Sequence, residues 1–246
     1  MNDVITNQFY GVSDAAKFSE GMRMVLESVG HNKNIYASDN MMTFGRNMGF
    51  MTDPEFVKVI QDNNPEDLEL SFLWRTHTLA WAARHAAQLE GDFVECGCYR
   101  GYTAKVVADL VGFSDMNRQY WLYDVFNPET IMGSHNASIS DPFEFVKKRF
   151  EAYNNVNVIK GYVPSSFEQG MPEKVALLHI DMNHAEAELG ALEHLFERVV
   201  SGGVIVLDDY GWTAYKAQTV VEDGWLNAKG YFVLELPTGQ GVVIKR

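Results

Sequence analysis

The stretch from Asp92 to Thr103, Asp-Phe-Val-Glu-Cys-Gly-Cys-Tyr-Arg-Gly-Tyr-Thr, constrains the fold of this chain more than any other segment. A short apolar run ends at the acidic residue Glu95, and Gly97 and Gly101 follow before a helical pattern begins. Because glycine has no Cβ, the backbone of such a turn can lie close to a bound ligand. The pattern predicts the first strand, the cofactor-binding turn and the first helix of an open α/β sheet.

The spacing of this turn favours one kind of cofactor. Glu95-x-Gly97-x-x-x-Gly101 differs from the G-x-G-x-x-G of dinucleotide-binding dehydrogenases. A pyrophosphate also binds best at a helix N-terminus that has no acid beside it. An acid at the strand end suits a ligand with a positive charge or hydroxyl groups, and S-adenosylmethionine (SAM) has a sulfonium, an amino group and a ribose. We therefore predict that Glu95, Gly97 and Gly101 bind SAM.

Composition narrows the class of protein. The chain has 246 residues, of which 46% are apolar, which is enough for one α/β domain with an N-terminal extension. No apolar run approaches the roughly 18 residues that span a bilayer, and the N-terminus lacks a basic start and an apolar core, so we expect neither a membrane partner nor a secretion signal. The net charge of −13 argues against a nucleic-acid partner. The only two cysteines, Cys96 and Cys98, are interpreted as a reduced, cytoplasmic pair.

Strands and helices alternate from residue 92 onward. We predict strands near 93–96, 120–125, 156–160, 175–181 and 203–208, and helices near 102–112, 141–153, 184–200 and 213–227. Two β-rich runs around Pro237-Thr-Gly-Gln-Gly predict a C-terminal hairpin. The alternation predicts a mostly parallel sheet that carries one antiparallel strand.

Residues 1–90 are predicted to form a helical extension. Apolar residues have helical spacing over 13–29, which Gly30 ends, and over about 68–90, and Asp53-Pro54 opens a short helix. The polar segment 31–40 is predicted to be a loop. The segment 41–51, rich in methionine and aromatic residues, indicates either a packed connector or a flexible cover over a pocket. We therefore predict a helical extension or lid over 1–90 and a catalytic domain over 91–246.

Candidate nucleoside contacts follow the second and third predicted strands. Ligands of open α/β sheets bind at the carboxyl ends of the strands. Asp124 follows Gly101 by 23 residues, and a carboxylate there suits the two ribose hydroxyls. The alternative for Asp124 is an acid that caps a turn. Gly161 and the ring of Tyr162 are candidates for holding the adenine, although an ordinary turn explains them nearly as well.

Three carboxylates, those of Asp181, Asp208 and Asp209, come from two predicted strand ends. Their mutual repulsion is costly unless a cation neutralises it. Oxygen ligands without thiolates fit Mg²⁺ or another hard divalent ion. Such an ion would bind two neighbouring substrate oxygens and lower the pKa of the reacting hydroxyl. The alternative is a set of helix caps and a turn acid.

Histidines provide candidates for proton transfer. His184 lies three residues after Asp181 at a predicted helix start, and an imidazole suits proton removal near neutral pH. Asp181 and His184 are therefore the candidate catalytic residues, while a surface histidine explains His184 equally well. His135 is a weaker candidate for substrate contact, and His179, in an apolar strand, is interpreted as structural.

Four segments resemble the macrocin O-methyltransferase (TylF-like) family over about residues 91–246. They are Gly91–Gly101, Leu178-His-Ile-Asp181, Gly202–Gly211 and Leu236–Lys245. The resemblance implies a class I methyltransferase (Rossmann-like) fold, with a mostly parallel seven-stranded sheet, a C-terminal antiparallel hairpin and an N-terminal helical extension. It also implies a homo-oligomer, either a dimer or a larger assembly.

The same resemblance implies site roles and an activity. Glu95, Gly97 and Asp124 would bind SAM, and Asp181, Asp208 and Asp209 would hold Mg²⁺ for the methylation of a sugar hydroxyl on a natural product. One departure concerns the residues after Asp181. The family often continues with a small residue, a second acid and Tyr-Glu, whereas this chain has Met-Asn-His-Ala-Glu. Because of this departure, the resemblance does not determine which residue accepts the proton or which sugar accepts the methyl group.

The sequence thus predicts a SAM- and Mg²⁺-dependent O-methyltransferase that acts on a hydroxyl of a small molecule, a sugar of a glycosylated natural product. A catechol-type O-methyltransferase is the first alternative, because an aromatic diol also offers two neighbouring oxygens. A nicotinamide-dependent oxidoreductase is disfavoured by the spacing of the glycine turn. A non-catalytic SAM-binding or partner protein is the third alternative.

Overall fold

The computed structural model describes residues 3–29, 34–127 and 139–246. The chain divides into two compact units, Met1–His77 and Thr78–Arg246. Gly30 and His135, the predicted helix end and the weaker substrate candidate, lie outside the described residues. The predicted boundary at residue 90 and the lid role of the preceding residues stay predictions.

The N-terminal unit combines helices with a small sheet. Its elements are β1 (Val4–Ile5), α1 (Ala15–Val29), β2 (Tyr36–Ser38), β3 (Met41–Thr43), a 3₁₀ turn (Gly49–Thr52), α2 (Pro54–Asp62) and α3 (Asp67–Ser71), and α4 (Leu73–Ala86) crosses into the second unit. Strand β2 pairs in parallel with β1 and antiparallel with β3. The predicted loop over 31–40 is therefore wrong at β2, because a strand of three residues is too short to reveal alternation.

The predicted long helix over 68–90 is two helices in the structure. Helix α3 begins with a capping box between Glu66 and Glu69, and Phe72 leaves the helical conformation with φ −97° and ψ 16°. Helix α4 starts at the next residue. The apolar spacing continues through Phe72, so periodicity alone does not reveal the break.

The second unit is built on a seven-stranded sheet. Its elements are β4 (Asp92–Cys96), α5 (Tyr102–Leu110), β5 (Tyr120–Asp124), α6 (Pro142–Arg149), β6 (Val156–Lys160), β7 (Val175–Ile180), α7 (Ala185–Leu195), β8 (Val199–Leu207), α8 (Lys216–Ala228), β9 (Leu234–Glu235) and β10 (Gly241–Ile244). The strand order is β6-β5-β4-β7-β8-β10-β9. Neighbours from β6 to β8 are parallel, and β10 is antiparallel to both β8 and β9. The predicted mostly parallel sheet with a C-terminal antiparallel hairpin is confirmed.

Apolar side chains cover both faces of this sheet. Buried residues of α4, α5 and α6 pack on one face, and buried residues of α7 and α8 pack on the other. All six residues of β7 are buried, as expected for a central parallel strand between two helical layers. None of the helices in the described ranges is long and apolar enough to cross a membrane.

Backbone hydrogen bonds align the carboxyl ends of the central strands. Gly97 N donates to Tyr123 O at 2.7 Å, Asp181 N to Cys96 O at 2.8 Å and Asp208 N to Ile180 O at 2.9 Å. The turns after β4, β7 and β8 therefore begin side by side at one edge of the sheet. This edge carries most of the residues predicted to have a function.

Candidate active site at the carboxyl edge of the sheet

The turn after β4 depends on glycine at its first position. Gly97 has φ 91°, and a Cβ on it would lie 1.8 Å from the carbonyl oxygen of Asp181. No side chain fits there, because the turn presses directly on the backbone that follows β7. Tyr99 in the same turn also has a positive φ of 50°.

Gly101, at the N-terminus of α5, is the second glycine that the local packing requires. It has φ 68°, and a Cβ on it would lie 3.1 Å from side-chain atoms of both Phe150 and Val146. The helix start therefore sits close to the segment that contains α6. Contact of Gly97 and Gly101 with a cofactor stays a prediction.

Asp124, at the end of β5, fixes the turn after β4. One carboxylate oxygen accepts a hydrogen bond from Tyr99 N at 2.7 Å, and the other accepts one from Phe126 N at 2.7 Å. Burial raises the pKa of Asp124 even though these backbone donors favour the charged form. Asp124 therefore caps a turn, which is the alternative role that the sequence also indicated. Each carboxylate oxygen has a further lone pair, so ribose binding stays a prediction.

Glu95, on strand β4, is buried under the helices that cover the sheet. Its side chain belongs to a residue that is 3% exposed, and it accepts a hydrogen bond from the Tyr120 hydroxyl at 3.0 Å. His179 Nδ1 is 3.4 Å from Glu95 Oε1, across the paired strands β4 and β7. Its predicted role in SAM binding stays a prediction.

His179 joins this acid to a second one. Its Nε2 is 3.5 Å from Asp208 Oδ1, and Asp208 Oδ1 also accepts a hydrogen bond from Gln240 Nε2 at 2.7 Å. Burial disfavours the charged imidazole, but the carboxylates of Glu95 and Asp208 outweigh burial and raise the pKa of His179 well above its usual value. The His179 ring thus lies buried between two carboxylates, and the raised pKa favours its charged form, a pairing that buried charges require.

The structure brings two of the three predicted metal ligands together. In the described part of the chain, His179, Asp181 and Asp208 each offer one ligand atom, and these atoms lie within 4.8 Å of one another. Asp209 is not a member of this group. The pKa of Glu222, on helix α8, is raised by burial and by Glu188, and the charge of Asp209 adds to that rise. Asp208 and Asp209 both lie in the turn that follows β8, and of the two it is Asp208 that is grouped with His179 and Asp181. Metal binding by these residues stays a prediction.

His184 has a structural role at the start of α7. It is the N-cap residue, it is exposed, and its Nδ1 accepts a hydrogen bond from Ala187 N at 3.4 Å. This bond uses the lone pair of Nδ1 and leaves the proton of a neutral imidazole on Nε2. The catalytic role of His184 stays a prediction.

Gly161 and Tyr162 follow β6 at the same edge. Gly161 N donates to the carbonyl of Asp124 at 2.9 Å, which keeps the two strand ends adjacent. The Tyr162 residue is 75% exposed, so its ring is accessible for stacking. Contact with an adenine stays a prediction.

Sequence reasoning missed two members of this site. His179 was interpreted as structural, although the pairing of β4 with β7 puts it directly opposite Glu95. Gln240 lies in the hairpin turn, which the sequence predicts only as a turn. The alternation of β7 is a signal for His179, since His179 and Asp181 are two residues apart. No local signal points from Gln240 to Asp208, 32 residues away.

The strand order, with helices on both faces and one antiparallel strand near the edge, defines a class I methyltransferase fold. The structure of the O-methyltransferase NovP superposes with a TM-score of 0.61 at 16% identity, covering 72% of this chain and 81% of NovP. The apo structure of CalS11, a TDP-rhamnose 3'-O-methyltransferase of calicheamicin biosynthesis, superposes with a TM-score of 0.55 at 14% identity. The superposition covers 82% of this chain and 96% of CalS11. The SAH-bound Podospora anserina methyltransferase PaMTH1 superposes with a TM-score of 0.52 at 14% identity, covering 96% of this chain and 98% of PaMTH1.

At these low identities the three superpositions establish the fold alone. The sequence comparison goes further: the macrocin-O-methyltransferase (TylF) family model matches residues 75–224, and the chain belongs to that family.

Curated relatives match over a shorter stretch. The chain is 28% identical over 138 residues to the 8-demethyl-8-(2,3-dimethoxy-alpha-L-rhamnosyl)-tetracenomycin-C 4'-O-methyltransferase of Streptomyces olivaceus, covering 49% of this chain and 53% of the relative. It is 24% identical over 140 residues to the mycinamicin III 3''-O-methyltransferase of Micromonospora griseorubida, covering 49% and 55%. The matched region thus spans about half the length of these relatives.

Proposed function

We propose that this protein transfers a methyl group from SAM to a hydroxyl on the sugar of a glycosylated natural product, with the help of a divalent metal ion such as Mg²⁺. The observation that carries the proposal is the convergence of Asp181 and Asp208 beside the Gly97 turn, in a chain of the TylF family. The names of the curated relatives support the activity, since they describe O-methyltransferases, and one of them names a rhamnosyl group.

The residues around the turn fit SAM, which supplies an electrophilic methyl group on a sulfonium. We propose that a cofactor site is formed by Glu95, Gly97, Gly101, Asp124, Gly161 and Tyr162. The carboxylate of Asp124, held by two backbone donors, is oriented to accept hydrogen bonds from ribose hydroxyls. The exposed ring of Tyr162 offers a surface for the adenine.

The charges at the sheet edge fit a divalent cation. Asp181 and Asp208 bring carboxylate oxygens within 4.8 Å of one another and of a ring nitrogen of His179, and Glu95 lies on the other side of that ring. We propose that Asp181, Asp208 and Asp209 hold the ion through their oxygens. A bound ion of this kind acts as a Lewis acid and lowers the pKa of the reacting hydroxyl.

Asp181 is the first candidate for the proton acceptor, because its carboxylate is partly exposed at the edge of the sheet. His184 is the second candidate, although its Nδ1 is used by the N-cap hydrogen bond. In either case these side chains bind and orient the acceptor hydroxyl and take up its proton when the methyl group is transferred. Positioning and charge stabilisation would supply most of the rate enhancement.

Calorimetry and a turnover assay test the proposal. We expect heat of binding with SAM, turnover on rhamnosylated or related glycosides but not on catechols, and loss of turnover in EDTA that added Mg²⁺ restores. Asp208→Asn should abolish the metal response, whereas Asp115→Asn, at an exposed position, should not change it. Absence of SAM binding would refute the cofactor, turnover that is indifferent to EDTA would refute the metal, and preference for catechols would favour the aromatic alternative.

We propose a homo-oligomer located in the cytoplasm. Phe232 and Leu234 support association, since they are 82% and 63% exposed and lie just before and within the edge strand β9. Cys96 and Cys98 support a reducing compartment, because both are unpaired thiols. Light scattering and fractionation would test these two points.

A further inference from the structure

Two glutamates share a buried space between helices α7 and α8. Glu188 is 4% exposed and Glu222 is fully buried. Burial, followed by the charge of Glu188, raises the pKa of Glu222 to about 9. Near neutral pH Glu222 is therefore an uncharged carboxylic acid that can donate a hydrogen bond to the carboxylate of Glu188.

Glu188 also holds the backbone that follows β7. Its Oε1 accepts a hydrogen bond from Met182 N at 3.1 Å. Met182 comes directly after Asp181, so this bond fixes the peptide unit that joins the two residues. Asn183, the next residue, has a positive φ of 55°. Burial raises the pKa of Glu188, and the backbone N–H groups of Met182 and Asn183 oppose that rise by favouring the charged form.

The same oxygen of Glu188 also contacts the helix that follows Asp208. Glu188 Oε1 accepts a hydrogen bond from Gln218 Nε2, and Gln218 lies on α8. Helix α8 is the first α-helix after Asp208 and Asp209. One carboxylate oxygen thus binds both the segment after Asp181 and the helix that follows Asp208.

A buried acid pair is a costly way to join two helices. Replacing buried ionic groups by apolar side chains of similar volume is often neutral or stabilising. Packing alone therefore does not explain why Glu188 and Glu222 occupy this space. A charged acceptor that binds a backbone N–H beside Asp181 does explain it.

We propose that Glu188 is a positioning residue, which fixes the backbone after Asp181 and thereby sets the spacing between the carboxylates of Asp181 and Asp208. The inference rests on the proposed function, since a metal ion held by both carboxylates would depend on that spacing. Residues that orient metal ligands in this way typically change metal affinity 10- to 100-fold when they are replaced.

The central variant is Glu188→Met, which keeps the volume of the side chain and removes the acceptor. Glu188→Gln is the conservative variant, because its amide oxygen can replace Oε1 toward both Met182 and Gln218. Glu193→Met is the matched control, since Glu193 is an exposed residue of the same helix. The double variant Glu188→Met/Glu222→Leu removes the whole acid pair and leaves an apolar contact.

Hydrogen exchange and binding to Mn²⁺ are the two readouts. We expect Glu188→Met and the double variant to increase amide exchange in a peptide over residues 181–187 and to weaken Mn²⁺ binding roughly 10- to 100-fold. SAM affinity should change less than about threefold, which is under 1 kcal/mol. Glu188→Gln and Glu193→Met should match the unmodified protein in both readouts.

The double variant separates positioning from a purely structural role. Positioning predicts a protein that is at least as resistant to urea as the unmodified chain and yet exchanges faster after Asp181. Unchanged exchange in the folded double variant would overturn the inference, as would a Glu188→Gln protein that exchanges as fast as Glu188→Met. If the unmodified protein binds no Mn²⁺, the metal in the proposed function fails, while the exchange data still decide the role of Glu188.

Discussion

The clearest consequence of the buried acid pair is a fall in stability as the pH rises. Glu222 has a pKa of about 9 in the folded protein and an ordinary value of 4.5 in an unfolded chain. A raised pKa means that the stability contributed by this group is complete below about pH 4.5 and is lost as the pH rises toward 9. Glu222→Gln keeps a hydrogen-bond donor at this position and cannot titrate.

The size of the effect follows from proton linkage. Between the two pKa values the unfolded chain has released the proton of Glu222 and the folded chain retains it, which costs the folded state about 1.4 kcal/mol for each pH unit. From pH 6 to pH 8 the upper limit is therefore about 3 kcal/mol relative to Glu222→Gln. Sharing of the proton with Glu188 lowers this figure, because a coupled pair titrates over a wider range.

Urea unfolding at pH 6, 7 and 8, followed by tryptophan fluorescence, provides the measurement. The difference in free energy of unfolding between Glu222→Gln and the unmodified protein should grow with pH, in favour of the variant. Taking the difference removes the groups that titrate alike in both proteins. A difference that stays constant from pH 6 to pH 8 would contradict the buried neutral carboxyl.

Three further substitutions test other contacts. Gly97→Ala should prevent folding or lower the melting temperature steeply, because its Cβ would lie 1.8 Å from the carbonyl oxygen of Asp181; a normal melting curve would contradict the close approach. His179→Leu should cost about 3–5 kcal/mol in urea unfolding, since it leaves the buried carboxylates of Glu95 and Asp208 without their cation; a change below 1 kcal/mol would mean that the imidazole carries no charge. Tyr162→Ala should weaken SAM binding about tenfold, from a stacking loss of roughly 1–3 kcal/mol, and leave the melting temperature unchanged because the ring is exposed; equal SAM affinity would remove Tyr162 from the cofactor site.

The sheet of the second unit was predictable because each of its central strands is a short apolar run between turn residues. The run Val175–Ile180 is buried throughout, and its sequence is almost wholly apolar. The strand Tyr36–Ser38 was not predictable in this way, since three residues give no period. The break at Phe72 was hidden for the opposite reason, because the helical spacing runs across it.

The candidate site was predictable for those residues that the sequence itself places at the end of a strand. Asp124 ends a strand of the sheet, Asp181 and Asp208 each follow one directly, and strand ends are where such folds bind ligands. Asp209 was grouped with Asp208 because it is adjacent in sequence, although both lie in a turn, where adjacency alone does not bring two side chains to one ligand site. The interaction of Glu188 with Glu222 could not be predicted from the sequence, because 34 residues separate them and the packing of two helices brings them together.

The contact between Gly97 and the carbonyl of Asp181 has a consequence for protein engineering. The loop after β4 and the chain after β7 touch with no space for even one carbon atom between them. Neither segment can be transplanted from a homologue unless its neighbour is transplanted as well. A chimera designed to alter donor or acceptor preference should therefore exchange residues 95–101 and 178–183 as one cassette.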